Sequence, residues 1–272
     1  MITIKKGNIF TTECQTIVNT INCVGIMNAG IAYECRLRYP EMYSRYVELC
    51  NEKKISIGTL WIYKSDNKWI LNFPTKNHWK YESKIEYLEK GLQKFLDTYK
   101  EKGIKSIAFP LLGASNGGIP EKKSIEVMKK YLERCDNIDI EIYYLDPCAY
   151  DDSYLKFKEI WTRIPEKELK KELKNLKEKE LKNLREILDG LKKENSLNNS
   201  REIEKINEKI NEKIKEKPLP ISAISKALGD ENIRRLSGLQ SVRGIGGKTV
   251  EKAFHFIKNY QGNNQYELFN DD

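Results

Sequence analysis

Across the first 150 residues, short runs of apolar and β-branched side chains alternate with longer stretches whose apolar residues recur every three or four positions. The runs at 2–5, 16–20, 59–63, 69–73, 106–111 and 140–145 predict strands. The spacing between them predicts helices over 29–38, 41–50, 83–102 and 122–134; in the third, Ile85, Leu88, Leu92, Phe95 and Leu96, with Tyr99, share one helical face. Strands separated by helices imply a layered α/β domain with at least part of its sheet parallel.

From Pro165 the pattern changes to Leu169, Leu173 and Leu176, then, after a slip, Leu181, Leu184, Leu188 and Leu191. A second series, Ile203, Ile206, Ile210 and Ile214, follows a polar break at 195–200. Either a helical hairpin or short coiled coil, self-associating through 169–214, or a solvated charged spacer fits this spacing. Asp189 and Gly190 form an expected weak point in the first arm, and Pro218 and Pro220 open a new unit. The domains expected are 1–150, a charged helical linker over 151–217, an all-α domain over 218–262 and a disordered tail over 263–272, rich in Asn and Asp.

Composition sharpens this division. Charged residues make up 32% of the chain, and they concentrate in 165–217, whereas the first 150 residues hold most of the aromatics. No apolar run approaches the ~20 residues of a membrane helix, and the opening Met1-Ile2-Thr3-Ile4-Lys5 reads as a strand; no membrane association and a cytoplasmic location are expected. The six cysteines lack a zinc spacing and read as free, buried thiols, so no metal is expected. The net charge of +8 says little alone, but residues 218–262 carry seven Lys or Arg against three acids.

Two strand ends carry the candidate chemistry. Strand 16–20 runs into NTINCVGIMNAGIA, where Gly25, Ala29 and Gly30 let backbone approach a ligand at a helix start. Strand 106–111 runs into LLGASNGGIP, with Gly113, Gly117 and Gly118 before the next helix. Neither is a dinucleotide fingerprint or a P-loop. Two such loops in one α/β domain suggest a cleft for a nucleotide diphosphate, with Asn19 and Asn22 either bonding ribose hydroxyls or capping turns. A third strand end, FPTKNHW, carries Lys76 at a place where functional groups gather.

GNIF, IVNTINCVGIMNAGIA, NFPTKNHW and FPLLGASNGGI resemble, in order and spacing, macrodomains, and within them the DNA ADP-ribosyl glycohydrolases of the DarG type. The resemblance covers about 1–150 and implies a three-layer α/β/α fold with a mixed sheet of about six strands, ADP-ribose in a cleft at the sheet's edge, and no cofactor. It implies an antitoxin hydrolase acting on ADP-ribosylated DNA, thymidine in particular, with a cognate ADP-ribosyltransferase toxin as partner. Lys76 would then be catalytic, attacking the anomeric carbon as a neutral amine or, when charged, helping the base depart. Asn8, Ile9, Asn19, Asn22, Gly30, Ile31, Thr75, Gly113, Ala114, Ser115, Asn116 and Gly117 would bind ADP-ribose, and His78 and Trp79 would flank the nucleobase. Asn8 stands where the family usually has an adenine-reading aspartate, Ala114 and Ser115 replace Cys-Gly, and the second loop lacks an aspartate that a relative acting on protein carboxylates uses there. The two other readings are a non-catalytic ADP-ribose reader and an antitoxin that grips its toxin through 165–272.

LQSVRGIGGKTVEKAF, residues 239–254, resembles a helix-hairpin-helix motif. Its Gly-Ile-Gly turn implies backbone N–H groups aimed at a DNA phosphate, with Arg243, Gly244, Gly246, Lys248 and Lys252 as the contacts. A small helical bundle with a tight glycine turn is the alternative. Val242 stands where a P-loop needs its first glycine, which rules that motif out.

Overall fold

The computed structural model describes residues 1–193 and 200–260. They divide into two compact units, one holding Met1–Leu155 with Arg234–Gly238, the other Lys156–Ile233 with residues 239–260. The compositional boundaries at 150 and 217 do not coincide with this division, and the tail 263–272 lies outside the described residues.

Six strands of the first unit form one mixed sheet: β1 (Ile2–Gly7), β2 (Thr16–Asn22), β3 (Trp61–Lys64), β4 (Trp69–Lys76), β5 (Ser106–Pro110) and β6 (Asp139–Leu145). Their order is β1-β6-β5-β2-β4-β3, parallel throughout except for β3, which runs antiparallel to β4. Helices α1 (Gly30–Arg38) and α2 (Pro40–Asn51) cover one face, and α3 (Ile85–Thr98) and α4 (Glu121–Leu132) the other, giving the expected three layers. Side-chain alternation splits the core accordingly. Ile17 and Ile21 of β2 and Ala108 of β5 join the α1/α2 cluster, whereas Val18, Ile107 and Phe109 join the α3/α4 cluster. Burial on both faces explains why these strands read as continuous apolar runs.

The Pro-Thr-Lys segment is part of β4 and not a corner after it. Strand β3 pairs with β4 only from Trp69 to Asn72, so Pro74 lies past its end, where a missing N–H disturbs no second neighbour. On the other side β4 stays paired with β2, and a register irregularity at Ile21/Asn22 brings Asn22 opposite Lys76.

In the second unit, α5 (Asp152–Arg163) contributes Phe157 and Trp161, whose rings lie 5.5 Å apart; Phe157 also meets Phe254 at 6.2 Å. Trp161 Nε1 donates to Ser225 Oγ at 3.0 Å, and the Tyr260 hydroxyl to Glu168 at 2.6 Å. Helices α6 (Glu166–Lys193) and α7 (Ser200–Lys215) pair as a hairpin, tied by the Lys213–Glu180 ion pair and by Lys177 Nζ donating to the Ile214 carbonyl at 3.3 Å. Helix α6 passes unbroken through Asp189 and Gly190, so the expected weak point is absent; in a solvated position glycine costs about 1 kcal/mol, too little to end a long helix. Helices α8 (Ile221–Leu228) and α9 (Gly247–Lys258) follow, with Val250, Ala253, Phe254 and Ile257 buried on one face of α9. The element before the Gly-Ile-Gly turn is a 3-10 stretch, Leu236–Ser241, not an α-helix. The cysteines are all free, but Cys148 is exposed and only Cys14 and Cys35 are fully buried, against the expectation of uniformly buried thiols. Among the described residues no helix is long and apolar enough to cross a membrane.

Packing between α3 and the sheet supplies a stability test. A Cβ at Gly91 would overlap the ring of Phe73, which is fully buried. Alanine raises helix propensity by about 1 kcal/mol, but overpacking of this kind costs roughly 1–3 kcal/mol. Gly91→Ala should therefore lower the unfolding free energy measured by urea titration, whereas Gly190→Ala in α6, where nothing lies nearby, should raise it.

Candidate functional site

Strands β2 and β5 exchange ladder contacts only at Thr16↔Ile107 and Ile17↔Ala108, then part toward their C-terminal ends. That divergence opens a cavity of about 810 Å3 at the end of a parallel sheet where helices begin, the usual place for a ligand in such folds. One wall is the start of α1. Its Ncap, Ala29, makes no side-chain cap, so the first amides of the helix face the cavity without a side-chain acceptor. Gly30 adopts φ +56°, and a Cβ there would press on the Asn116 side-chain nitrogen at 3.3 Å.

The facing wall is the loop after β5. Gly113 has φ +67°, and a Cβ on it would collide with Ile119 at 2.7 Å, so this loop needs glycine for both conformation and space. Ser115 takes φ +50°, a left-handed conformation for a non-glycine residue at the tip where the chain carries Ala114-Ser115. The turn Ser115–Gly117 is closed by Gly117 N to Ala114 O at 3.0 Å and Gly118 N to Ser115 O at 3.1 Å. Backbone thus lines the cavity from both sides, the start of α1 on one and the glycine loop on the other, an arrangement that lets a diphosphate approach main chain closely.

At the end of β4, Lys76 Nζ donates to the backbone carbonyl of Asn116 and so spans from strand to loop. Thr75 beside it is buried, and both line the cavity. Trp79, 49% exposed, lies at the mouth and stacks on His78 at 5.6 Å with an interplanar angle of 26°. Tyr81 meets His78 at 5.4 Å, which makes a three-ring aromatic surface beside the lysine.

Most residues singled out from sequence meet here: Asn8, Ile9, Asn22, Gly30, Ile31, Thr75, Lys76, Gly113, Ala114, Ser115, Asn116, Gly117 and Trp79 all line the cavity. Asn19 does not. It is fully buried, and its Nδ2 donates to Asn72 Oδ1 at 2.9 Å, because period two turns residue 19 into the α1/α2 core. Asn22 holds its own loop, donating to Ile26 O at 2.5 Å and accepting from Val24 N at 3.0 Å, the turn role that the spacing allowed. Asn8 is likewise occupied, accepting from Phe10 N at 3.1 Å and donating to Tyr150 O at 2.9 Å. His78 stands behind Trp79, outside the lining.

Of the phosphate contacts expected in the second unit, Arg243, Gly244, Gly246 and Lys248 are exposed around the turn, with Gly244 at φ +90°. Lys252 instead forms an ion pair with Glu216, which also binds Lys213 at 3.0 Å, and burial lowers its pKa. Its ion pair ties it to the packing of α9, unlike Arg243 and Lys248.

Sequence reading missed a charge network at the other end of the cavity. Arg38 pairs with Glu34 and, at 2.9 Å, with Asp151, all three nearly buried, and its guanidinium lies 4.2 Å from the Phe10 ring. Glu34 also accepts from Ser237 N at 2.9 Å, and Asp151 from Tyr154 N at 3.2 Å. Burial works against the charge on Glu34, but Arg38 and the Ser237 N–H outweigh it and its pKa falls. Burial raises the pKa of Asp151, with Arg38 opposing and the Glu34 charge adding. Glu34 and Arg38 stand one helical turn apart, a signal that was legible; Asp151, Arg235 and Ser237, which complete this end, carried none. Glu121 also adds a carboxylate to the lining.

A macro domain family model matches residues 18–128. A DNA ADP-ribosyl glycohydrolase of Thermus aquaticus is 33% identical over 147 residues, covering 53% of this chain and 41% of the relative. The chain thus spans less than half the length of that relative. The solved macrodomain of Thermus aquaticus DarG is 33% identical with a TM-score of 0.51, over 53% of this chain and 98% of that one. Thermosipho africanus DarTG in complex with ADP-ribose is 32% identical with a TM-score of 0.51, over 53% of this chain and 41% of that one.

The buried network yields a stability prediction. Removing one partner of a buried charge cluster costs about 3–5 kcal/mol, because the carboxylates left behind are desolvated and unpaired. Arg38→Met should therefore lose stability of that order at pH 7 in urea titrations. The loss should narrow toward pH 4. The lowered pKa of Glu34 stabilises the native wild type only above the unfolded carboxylate range, and the unpaired carboxylates of the variant protonate as pH falls.

Proposed function

We propose, from the premise that this chain belongs through its N-terminal half to the macrodomain family, that it hydrolyses ADP-ribose from DNA bases. The observation that carries this reading is the amine of Lys76 in a cavity framed by the start of α1 and the glycine loop after β5. With the diphosphate at those walls, the distal ribose falls beside Lys76 and the adenosine half beside the Arg38 network. The attached nucleobase then reaches Trp79 and Tyr81, whose exposed rings, each packed on His78, suit base stacking. Thymidine is the substrate base, ADP-ribose the product, and no cofactor takes part.

In the reaction the bond between the anomeric carbon and the base nitrogen breaks; water supplies hydroxyl to the carbon and a proton to the base. The sugar gains oxocarbenium character as the bond opens. Lys76 acts there either as a nucleophile that water later displaces or as a charged group that eases departure of the base. Release of ADP-ribose reverses the work of a toxin-type DNA ADP-ribosyltransferase, the partner activity of this chain. The exposed Gly-Ile-Gly turn, with Arg243 and Lys248, supplies a weak phosphate anchor that raises the local concentration of modified DNA.

Incubation with thymidine-modified single-stranded DNA tests the catalytic reading. Lys76→Ala should lose at least about 100-fold in release rate while its affinity for free ADP-ribose stays within about twofold. Borohydride trapping of a protein–sugar adduct by wild type, absent in Lys76→Ala, separates the nucleophilic route from the electrostatic one. Binding without turnover by wild type would leave an ADP-ribose reader. For the anchor, Arg243→Ala with Lys248→Ala should weaken DNA binding at low salt and flatten the slope of log K against log salt by about 0.7 per lost contact on single strands. An unchanged slope would return that turn to a purely structural role.

A further inference from the structure

At the end of the cavity away from Lys76, the polar side chains supplied by the N-terminal half are already bonded to protein. Asn8 is held by Phe10 N and Tyr150 O, Glu34 by Arg38 and Ser237 N, Asp151 by Arg38 and Tyr154 N. Each of these side chains is therefore tied to two protein partners, which narrows what it offers a base. The short segment Arg234–Gly238 lies in the same compact unit although it comes from far along the chain, outside the region that the family model matches. It is anchored at three successive residues. Arg235 Nη2 donates to the Asp146 carbonyl at 3.0 Å, Leu236 is fully buried, and Ser237 N donates to Glu34 Oε1 at 2.9 Å.

Arg235 and Ser237 both line the cavity. A guanidinium carries five N–H donors in a rigid fork, and one bond to the Asp146 carbonyl leaves others for a ligand. Ring nitrogens of a purine are acceptors, so a fixed fork beside Ile9 and Leu145 meets both the polar edge and the apolar face of a base. We infer that Arg235 is the base-reading residue of the nucleotide site, a specificity contact delivered by a segment from beyond the macrodomain. This inference rests on the ADP-ribose reading above.

The test uses full-length Arg235→Ala and Arg235→Lys, with thermal melting to confirm that each is folded. ADP-ribose, AMP and ribose 5-phosphate are titrated by calorimetry or, for the weakest, by NMR. Arg235→Ala should weaken ADP-ribose and AMP by a common factor of about ten and leave ribose 5-phosphate unchanged, with Arg235→Lys falling between. At subsaturating substrate the rate of ADP-ribose release should fall by the same factor as the affinity, whereas Lys76→Ala loses rate with its ADP-ribose affinity kept. Equal loss of ribose 5-phosphate binding would assign the guanidinium to a phosphate and overturn the inference, as would undiminished AMP binding. If wild type binds neither ADP-ribose nor AMP, the nucleotide reading falls and takes this one with it; wild-type binding that Arg235→Ala leaves intact overturns this inference alone.

Discussion

The separation of β2 from β5 is the constraint on which the site depends. Parallel neighbours normally keep their ladder along their length, yet here only two residue pairs hold before the strands part. The gap cannot be filled by backbone, so the segments that leave each strand must turn and line it. They do so with the start of α1 on one side and, on the other, a turn after β5 that closes its own N–H groups at Gly117 and Gly118. A cavity lined by backbone on two walls follows from that single divergence.

The ends of the cavity are made differently. Beside Lys76 the wall is the extension of β4 past β3, possible because the proline that follows Phe73 meets β2 alone. That end keeps an amine and an exposed aromatic surface. The opposite end is built on buried charge. A guanidinium between two carboxylates is costly to desolvate, and it persists because each carboxylate also accepts from a backbone N–H, Glu34 from Ser237 and Asp151 from Tyr154. Its effect is rigidity at that end, joining α1, the chain after β6 and the 234–238 segment.

The helical second unit shows how similar sequence signals can lead to different outcomes. Lys248 and Lys252 stand four residues apart on α9, yet one is exposed and the other is drawn into an ion pair with Glu216. Helical spacing alone does not separate them. What decides is the neighbour across the helix face, and that neighbour is 36 positions away in the chain.

Much of the first unit was legible from local pattern. All six strands and the four helices between them match their apolar runs within a few residues, since side-chain alternation and helical spacing are properties of consecutive positions. The glycine loops and Lys76 were legible too, because strand ends and small residues are visible in the chain. Asn8 and Asn19 were not, and for Asn22 the turn was one of two readings, since an amide seeks whichever partner lies nearest, and those partners were set by a turn, a core and a loop. Asp151 and Arg235 reach the cavity through contacts spanning 113 and 89 positions, and Ser237 through one spanning 203. The sequence by itself determined where backbone would be regular and where it would break, because those choices are local. Which polar groups remain open to a ligand was decided by the tertiary structure, because a hydrogen bond is settled by distance in space and not along the chain.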